Sequence, residues 1–197
     1  MRQKPTEFLT LEEIQELYRT CDKKTLRGLR DFCILSLMLH TGLRRHEVTS
    51  LTRGSLTAQS GKVYLHARTK GNRGKKIVVK DLELLESLDR YFNKTMPASD
   101  ATGPMFWSLP KGPDKKIRPA TDETIRRVLE RAVRRAKFSK RITPHSLRHT
   151  FITQALHSGA DIKTVQALAG HSNISTTSRY LHTTDELMEA AIKKLKF

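Results

Sequence analysis

Acidic residues are scarce in this chain of 197 residues, which has 20 Asp and Glu against 37 Lys and Arg and a formal net charge of +17. A small domain usually carries a net charge of magnitude about 2 to 8, so this excess indicates a polyanionic partner. The excess is also uneven. Residues 68–80 hold six basic and no acidic residues, and residues 111–148 hold thirteen basic and four acidic residues. Either segment alone could be an ordinary solvated face, but the two together are typical of a nucleic-acid surface.

Cysteines and long apolar runs are scarce as well. The two cysteines, Cys21 and Cys33, lie in helical patterns without partners at metal-ligand spacing, which argues against a disulfide framework and a zinc site. No apolar run approaches the roughly 20 residues of a membrane span, and no basic segment followed by an apolar one forms a secretory signal. We therefore expect one cytoplasmic domain over residues 1–197, with no membrane segment, no metal and no cofactor.

Apolar periodicity predicts a mainly helical chain with a small antiparallel β-sheet, an α+β fold. The most apolar helix covers residues 26–41, and Gly42 ends it. Residues 62–67 and 75–80 are alternating or β-branched runs joined by a turn with Gly and Asn, which is typical of a β-hairpin. The other predicted helices lie at about 10–18, 43–51, 81–93, 121–138, 144–158, 161–169, 175–181 and 184–196.

Four short segments hold polar side chains where helix packing alone would favour other residues. The segments and their polar residues are "TGLRRHE" with Arg44 and Glu47, "TKG" with Lys70, "HSLRH" with His145 and Arg148, and "GHSNISTTSRY" with His171 and Tyr180. Each residue alone has an ordinary explanation, such as a surface ion pair, a turn lysine, a helix cap or a half-buried core tyrosine. Their order along the chain is more informative than any one of them.

Together these segments resemble the tyrosine recombinase (phage integrase) family, and most of all the catalytic domain of Xer-like or integron-like integrases. The resemblance extends from "FLTLEEIQEL" near the start to the tyrosine segment. It implies the tyrosine recombinase catalytic-domain fold in one domain over residues 1–197, without the N-terminal core-binding domain that family members usually carry. It also implies a site-specific recombinase or integrase that cuts and rejoins DNA by transesterification, through a 3′-phosphotyrosine and without metal.

The resemblance assigns a role to each of the conspicuous residues. Arg44 and Arg148 correspond to the two arginines that clamp the phosphate, His145 and His171 to the two histidines, and Tyr180 to the nucleophile. Arginine suits the clamp because its planar fork binds two oxygens at once and stays charged. Preorganised cationic donors can stabilise the charge that develops on the phosphate without a metal ion.

Lysines of the hairpin are candidates for the general acid that protonates the leaving 5′ oxygen. The resemblance favours Lys70, while Lys75 and Lys76 lie in the same hairpin and remain alternatives. Glu47 corresponds to an acidic position with a supporting role. Basic residues of the hairpin and of the 121–138 region are predicted DNA contacts: Arg68, Arg73, Lys75, Lys76, Arg127, Arg131, Arg134, Arg135, Lys140 and Arg141.

Two other functions remain open at this point. A type IB topoisomerase would use the same kind of site to relax supercoils, and a catalytically silent DNA-binding protein would keep the fold without the reaction. The expected partner is double-stranded DNA, with a monomer when free and a homotetramer on DNA. The amphipathic segment 184–196 either docks on its own domain or on a neighbouring protomer.

Overall fold

The computed structural model of the chain describes residues 7–68, 74–95, 100–109, 116–161 and 163–165. These residues form a mainly helical fold with antiparallel β-structure, as the sequence predicts, but with two small sheets instead of one. The helices are α1 (Leu11–Arg19), α2 (Leu26–Thr41), α3 (Arg45–Thr49), α4 (Leu82–Thr95), α5 (Asp122–Arg135) and α6 (Pro144–His157). The strands are β1 (Leu56–Gln59), β2 (Lys62–Arg68), β3 (Gly74–Val79), β4 (Trp107–Ser108) and β5 (Arg118–Pro119).

Helix α2 forms the centre of the fold. Nearly all of its residues are buried, and it contacts α1, α4, α5, α6 and β3. Apolar side chains such as Phe32, Ile34 and Leu35 are almost completely inaccessible to solvent. Burying a side chain of this kind contributes about 1.5–3 kcal/mol, so the packing around α2 supplies much of the stability of the fold.

Several helix ends are set by side-chain caps or by glycine, and the Gly42 end is one that the sequence predicts. In α1 the Thr10 hydroxyl accepts a hydrogen bond from the Glu13 amide, and the Glu13 carboxylate accepts one from the Thr10 amide, which is a complete capping box. Asp81 caps α4 by accepting a hydrogen bond from the Leu84 amide at 2.7 Å. Gly42 ends α2 in the left-handed conformation, with a φ of 62°.

The main sheet has the order β1-β2-β3, and all its pairs are antiparallel. The predicted hairpin is present as β2 and β3, and Leu65 of β2 lies opposite Ile77 of β3. Strand β1 was not predicted, because it is short and its residues after Leu56 are exposed, so it lacks an alternating pattern. The segment between α4 and α5 contains a second small sheet, the antiparallel pair of β4 and β5.

A buried ionic network links α2 to α5. Arg30, which is 2% exposed, donates from Nε and Nη2 to Oδ1 of Asp31, at 3.0 and 2.6 Å. The other carboxylate oxygen of Asp31 accepts a hydrogen bond from Arg131 Nη2 at 2.6 Å. Arg30 also donates to the carbonyl of Trp107. The network therefore fixes the position of α5 and of the β4 segment against the central helix.

The residues before α1 pack against α6. The Leu9 amide donates to the Thr150 hydroxyl at 2.9 Å, and the Phe8 ring meets the His149 ring edge-on, with centroids 5.7 Å apart. Lys140 donates to the Phe8 carbonyl. His149 is thus half-buried against an aromatic ring, as expected for a residue that points into the packed interior.

The predicted helices at 175–181 and 184–196 lie outside the described residues. Of the predicted helix at 161–169, only residues 161 and 163–165 are described. In the described part of the chain, no helix combines the length and the apolar character that crossing a membrane requires.

We expect Asp31→Ala to destabilise the protein strongly. The substitution leaves two guanidinium groups, of Arg30 and Arg131, without their shared carboxylate in a buried site. Breaking a buried ion pair in this way costs about 3–5 kcal/mol. Urea unfolding would measure the loss, with Glu130→Ala as the control, since that carboxylate forms an exposed ion pair worth about 1 kcal/mol or less. Equal losses in the two variants would contradict the structural role of the network.

Candidate active site

The turn at Gly42 leads from the buried helix α2 directly to Arg44. Arg44 is the residue before the first turn of α3, and its backbone is extended there. Two features require glycine at position 42. Its φ is positive, and a Cβ atom on it would lie 2.4 Å from Cδ1 of Phe151 in α6. Only glycine therefore allows the turn and the close approach of α6 at the same place.

Glu47 orients Arg44. Its carboxylate accepts hydrogen bonds from the Arg44 backbone amide at 2.7 Å and from Nη1 of the guanidinium at 3.2 Å. Glu47 is 1% exposed, whereas the Arg44 side chain is 30% exposed. The buried carboxylate thus holds one side of the guanidinium, and the remaining donors of Arg44 can reach a ligand from solvent.

Arg148 approaches the same turn from α6. Its Nη1 donates to the carbonyl oxygen of Gly42 at 2.7 Å, and the residue is only 5% exposed. Two arginines that are 104 positions apart in sequence are therefore held on either side of one turn. As ligands of a phosphate, the two arginines stay a prediction that rests on the family resemblance.

His145 lies in the first turn of α6, three residues before Arg148, and it is exposed to solvent. The buried part of its ring and the nearby cations Arg148, Arg45 and Arg44 lower the pKa of His145 below its usual value of 6.5. The imidazole is therefore mainly neutral at pH 7, so it can donate or accept a hydrogen bond without adding a full charge.

Lys75 lies on the buried face of the main sheet. Alternation along β3 puts it on the same side as Ile77 and Val79, opposite Ala67 of β2. Its Nζ is inaccessible to solvent and has no hydrogen-bond partner among the described residues. Burial and the Arg148 cation lower the pKa of Lys75 to about 8.

The neighbouring lysine, Lys76, points to the other face of the sheet. It is exposed, and its Nζ lies 3.9 Å from the centre of the Tyr64 ring and donates to the Gln59 side chain. Of the two alternative hairpin lysines, Lys75 is the one beside the arginines. Its burial has a signal in the sequence, because "KKIVV" places Lys75 in phase with two apolar residues.

A pocket of about 520 Å³ opens between the β2–β3 edge and the segment that precedes β1. Lys75, Arg68 and His66 line it from the sheet, and Thr52 and Ser55 line it from the other side. The pocket thus presents hydroxyl groups and cationic or titratable side chains to a ligand.

Three of the predicted DNA contacts in α5 and the loop after it bind other elements of the protein. Arg131 belongs to the buried ionic network, Arg135 donates to the carbonyl of Thr20 at 3.1 Å, and Lys140 donates to the carboxylate of Glu13 at 2.6 Å. These contacts connect α5 and the following loop to the N-terminal helices. As DNA contacts the three residues stay predictions, and the structure gives each of them a role in packing.

The remaining described basic residues of the predicted DNA surface are exposed or half-buried. Arg127 forms an i, i+4 ion pair with Glu123, while Arg68, Arg134 and Arg141 are exposed. Four predicted site residues lie outside the described residues, namely Lys70, Arg73, His171 and Tyr180. The described residues contain no group of three or more His, Cys, Asp or Glu side chains that could hold a metal ion.

Comparison with known proteins identifies the family. A family model described as the phage integrase family matches residues 7–186. The chain belongs to the phage integrase family. Tyrosine recombinase XerC of Staphylococcus saprophyticus is 35% identical over 180 residues, which are 91% of this chain and 58% of that protein. Tyrosine recombinase XerC of Bacillus subtilis is 33% identical over 186 residues, covering 92% of this chain and 58% of that protein.

Solved structures have the same fold. The XerH site-specific recombinase, bound to a palindromic difH substrate in a post-cleavage complex, has a TM-score of 0.77 and 21% sequence identity. It covers 97% of this chain, which corresponds to 54% of the XerH chain. The XerA recombinase has a TM-score of 0.76 and 23% identity, covering all of this chain and 68% of the XerA chain. The phage integrase chain described here spans about half to two thirds of the length of these relatives.

We expect Gly42→Ala to destabilise the protein more than Gly61→Ala does. Both glycines have a positive φ, which costs an alanine about 1–2 kcal/mol, but a Cβ on Gly61 meets nothing within 4 Å. The additional loss at Gly42 comes from the overlap with Phe151. Urea unfolding of the two variants would measure the difference, and equal losses would contradict the close packing of α6 against this turn.

Proposed function

We propose that this chain contains the catalytic site of a site-specific DNA recombinase, which cuts and rejoins strands through a covalent 3′-phosphotyrosine. The observation that carries the proposal is the placement of Arg44 and Arg148 on either side of the Gly42 turn. Membership of the phage integrase family supports it, as does the similarity to proteins named tyrosine recombinase XerC.

In the proposed reaction Tyr180 loses its phenolic proton to solvent, and the resulting phenolate oxygen attacks the phosphorus of a DNA phosphodiester. A bond forms between that oxygen and phosphorus, the bond to the 5′ oxygen breaks, and a proton supplied by Lys70 converts the leaving group to a 5′ hydroxyl. Attack by a 5′ hydroxyl of another strand reverses these steps and releases the tyrosine. The energy of the phosphodiester bond is kept in the phosphotyrosine throughout.

Arg44 and Arg148 would neutralise the non-bridging oxygens as phosphorus becomes pentacoordinate. Both guanidinium groups are already fixed by acceptors within the protein, so little reorganisation is needed when the charge develops. His145, neutral at pH 7 in the free protein, would add a hydrogen bond to the same phosphate, with His171 as the second histidine. Glu47 acts through Arg44, which makes it a positioning residue.

Double-stranded DNA is the proposed substrate, and a homotetramer on DNA with a monomer in its absence is the proposed assembly. The net charge of +17 supports both parts. Repulsion between protomers disfavours association in solution, and the phosphates of DNA remove that repulsion. The role of the 184–196 segment in such an assembly, on its own domain or on a neighbour, is part of the same proposal.

We expect the protein to form an SDS-stable adduct with a nicked DNA duplex carrying its recombination site, and Tyr180→Phe to abolish the adduct. The variant lacks only the nucleophilic oxygen, so its affinity for the duplex should be nearly unchanged. Denaturing gels would detect the adduct, and fluorescence anisotropy would measure the affinity.

The adduct should also form at its normal rate in EDTA, because the proposed site stabilises the phosphate with side chains alone. An adduct in Tyr180→Phe, or its loss in EDTA, would contradict the mechanism. Relaxation of any supercoiled plasmid by catalytic amounts of protein would instead favour the topoisomerase function.

The salt dependence of DNA binding should show whether the exposed arginines Arg134 and Arg141 contact phosphates. Replacing Arg134 and Arg141 by alanine should make the slope of log K against log salt shallower by about 2, since each lost phosphate contact contributes about 0.9. The control is Arg19→Ala with Arg90→Ala, which removes the same charge from α1 and α4. An equal change of slope in both double variants would indicate a general charge effect rather than contacts with DNA.

A further inference from the structure

Lys75 has an unusual environment for a lysine. Its stem lies on the buried face of β3, in line with Ile77 and Val79, and its Nζ is inaccessible to solvent. None of the described residues provides it with a hydrogen bond or an ion pair. Burying an unpaired charge is expensive, so native proteins rarely leave an ammonium group in this condition without a functional reason.

The charges around Lys75 do not compensate it. Its electrostatic neighbours are Arg148 of α6 and Arg44 and Glu47 of the α3 region. The two arginines repel it, and both oxygens of the single carboxylate already accept hydrogen bonds from Arg44. The free protein therefore gathers three basic side chains around one buried acid.

We propose that Lys75 is the third cation of the phosphate site and that an anionic phosphate of bound DNA is the partner that its amino group lacks in the free protein. The proposal rests on the proposed function, because it takes Arg44 and Arg148 as the phosphate clamp. It differs from the role of Lys70, which remains the proposed donor of a proton to the leaving oxygen. Lys75 instead binds the phosphate.

One consequence is that DNA binding takes up a proton. The pKa of Lys75 in the free protein is about 8, and a phosphate beside the ammonium would raise it towards the ordinary value near 10.4. The favourable contribution of the charge is complete below pH 8, and it decreases as the pH rises towards the pKa in the complex. Affinity should therefore fall by about tenfold between pH 7 and pH 9.

The other groups around Lys75 can be controlled for. The charged groups nearest to it are Arg44, Arg148 and Glu47. His145, whose pKa is lowered from 6.5, is already neutral. The strand positions next to Lys75 and its partner Ala67 carry His66, Arg68 and Lys76. A variant of Lys76 therefore serves as the control for the loss of a nearby positive charge.

The experiment measures the affinity of the full chain for a fluorescein-labelled DNA duplex of mixed sequence, by anisotropy at constant ionic strength from pH 7 to pH 9. All proteins carry Tyr180→Phe, which prevents covalent attachment. The parent should bind about tenfold more weakly at pH 9. Lys75→Met should bind more weakly at pH 7 and show little pH dependence, and Lys75→Arg should keep its affinity at pH 9, because a guanidinium stays charged.

Lys76→Met removes a charge from the exposed face of the same strand. It should lower the affinity by a similar factor at each pH, so that the tenfold pH dependence of the parent remains. If Lys75→Met retained both the parent's affinity at pH 7 and its pH dependence, Lys75 would not be a phosphate ligand. If circular dichroism showed that Lys75→Met does not fold, Lys75→Arg would replace it in the test. Loss of the pH dependence in Lys75→Arg would then support the proposal, and an unchanged pH dependence would contradict it.

A measurement without DNA tests the burial of the free amino group. Because the pKa of Lys75 lies below the 10.5 of an exposed lysine, unfolding takes up a proton between about pH 8 and 10.5, and the free energy of unfolding rises with pH over that range. Lys75→Met should remove this rise. A rise of unchanged size in the variant would show that Lys75 is solvated, which would overturn the proposal.

The outcomes separate this proposal from the proposed function. A pH dependence that requires Lys75 in a protein that forms no adduct would indicate a phosphate site without the recombination chemistry. An adduct in a protein whose affinity does not respond to Lys75 would indicate the chemistry with a different set of phosphate ligands.

Discussion

The left-handed turn at Gly42 is the constraint on which the candidate site depends. It ends the central helix, places Arg44 at the start of α3, and offers its carbonyl oxygen to Arg148 of α6. The absence of a Cβ lets the Phe151 ring pack against the same residue. One backbone position therefore links two arginines that lie far apart in sequence, and it directly follows the buried central helix.

Two groups of buried or half-buried basic residues can be distinguished by whether their charges are compensated. Arg30 and Arg131 share the Asp31 carboxylate, and Arg30 has a carbonyl acceptor as well. Among the described residues near Gly42, one carboxylate is buried and it is engaged by Arg44, while the Lys75 amino group has no hydrogen-bond partner. The first arrangement is complete without a ligand. In the proposal for Lys75, the second takes a phosphate as its missing partner, and this difference would separate a structural cluster from a functional one better than the number of basic residues does.

Local sequence signals predicted the helices, the capping residues and the hairpin because each depends on residues a few positions apart. The same holds for Gly42, whose position after a long apolar helix indicates a C-cap. Sequence reasoning could not place Arg131, since its partner Asp31 is a hundred residues away, and an arginine on an amphipathic helix looks the same whether it faces DNA or a carboxylate. Lys75 was predicted only as one of several hairpin cations, although its phase with Ile77 and Val79 contained the information that it is buried.

The proximity of Lys75 to Arg44 and Arg148 also has a cost for the free protein. Like charges held together in a medium of low polarity repel, and this repulsion reduces stability at the site, as expected where function requires a strained arrangement. In the proposed function the phosphate that is cut is also the ion that relieves the repulsion. A ligand that binds only the folded state stabilises it in proportion to its affinity, so DNA would complete the electrostatics of the site as well as serve as its substrate. The same reasoning explains why Glu47 is buried: one internal carboxylate is enough to hold Arg44 in place, whereas a second would compete with the phosphate for the remaining cations.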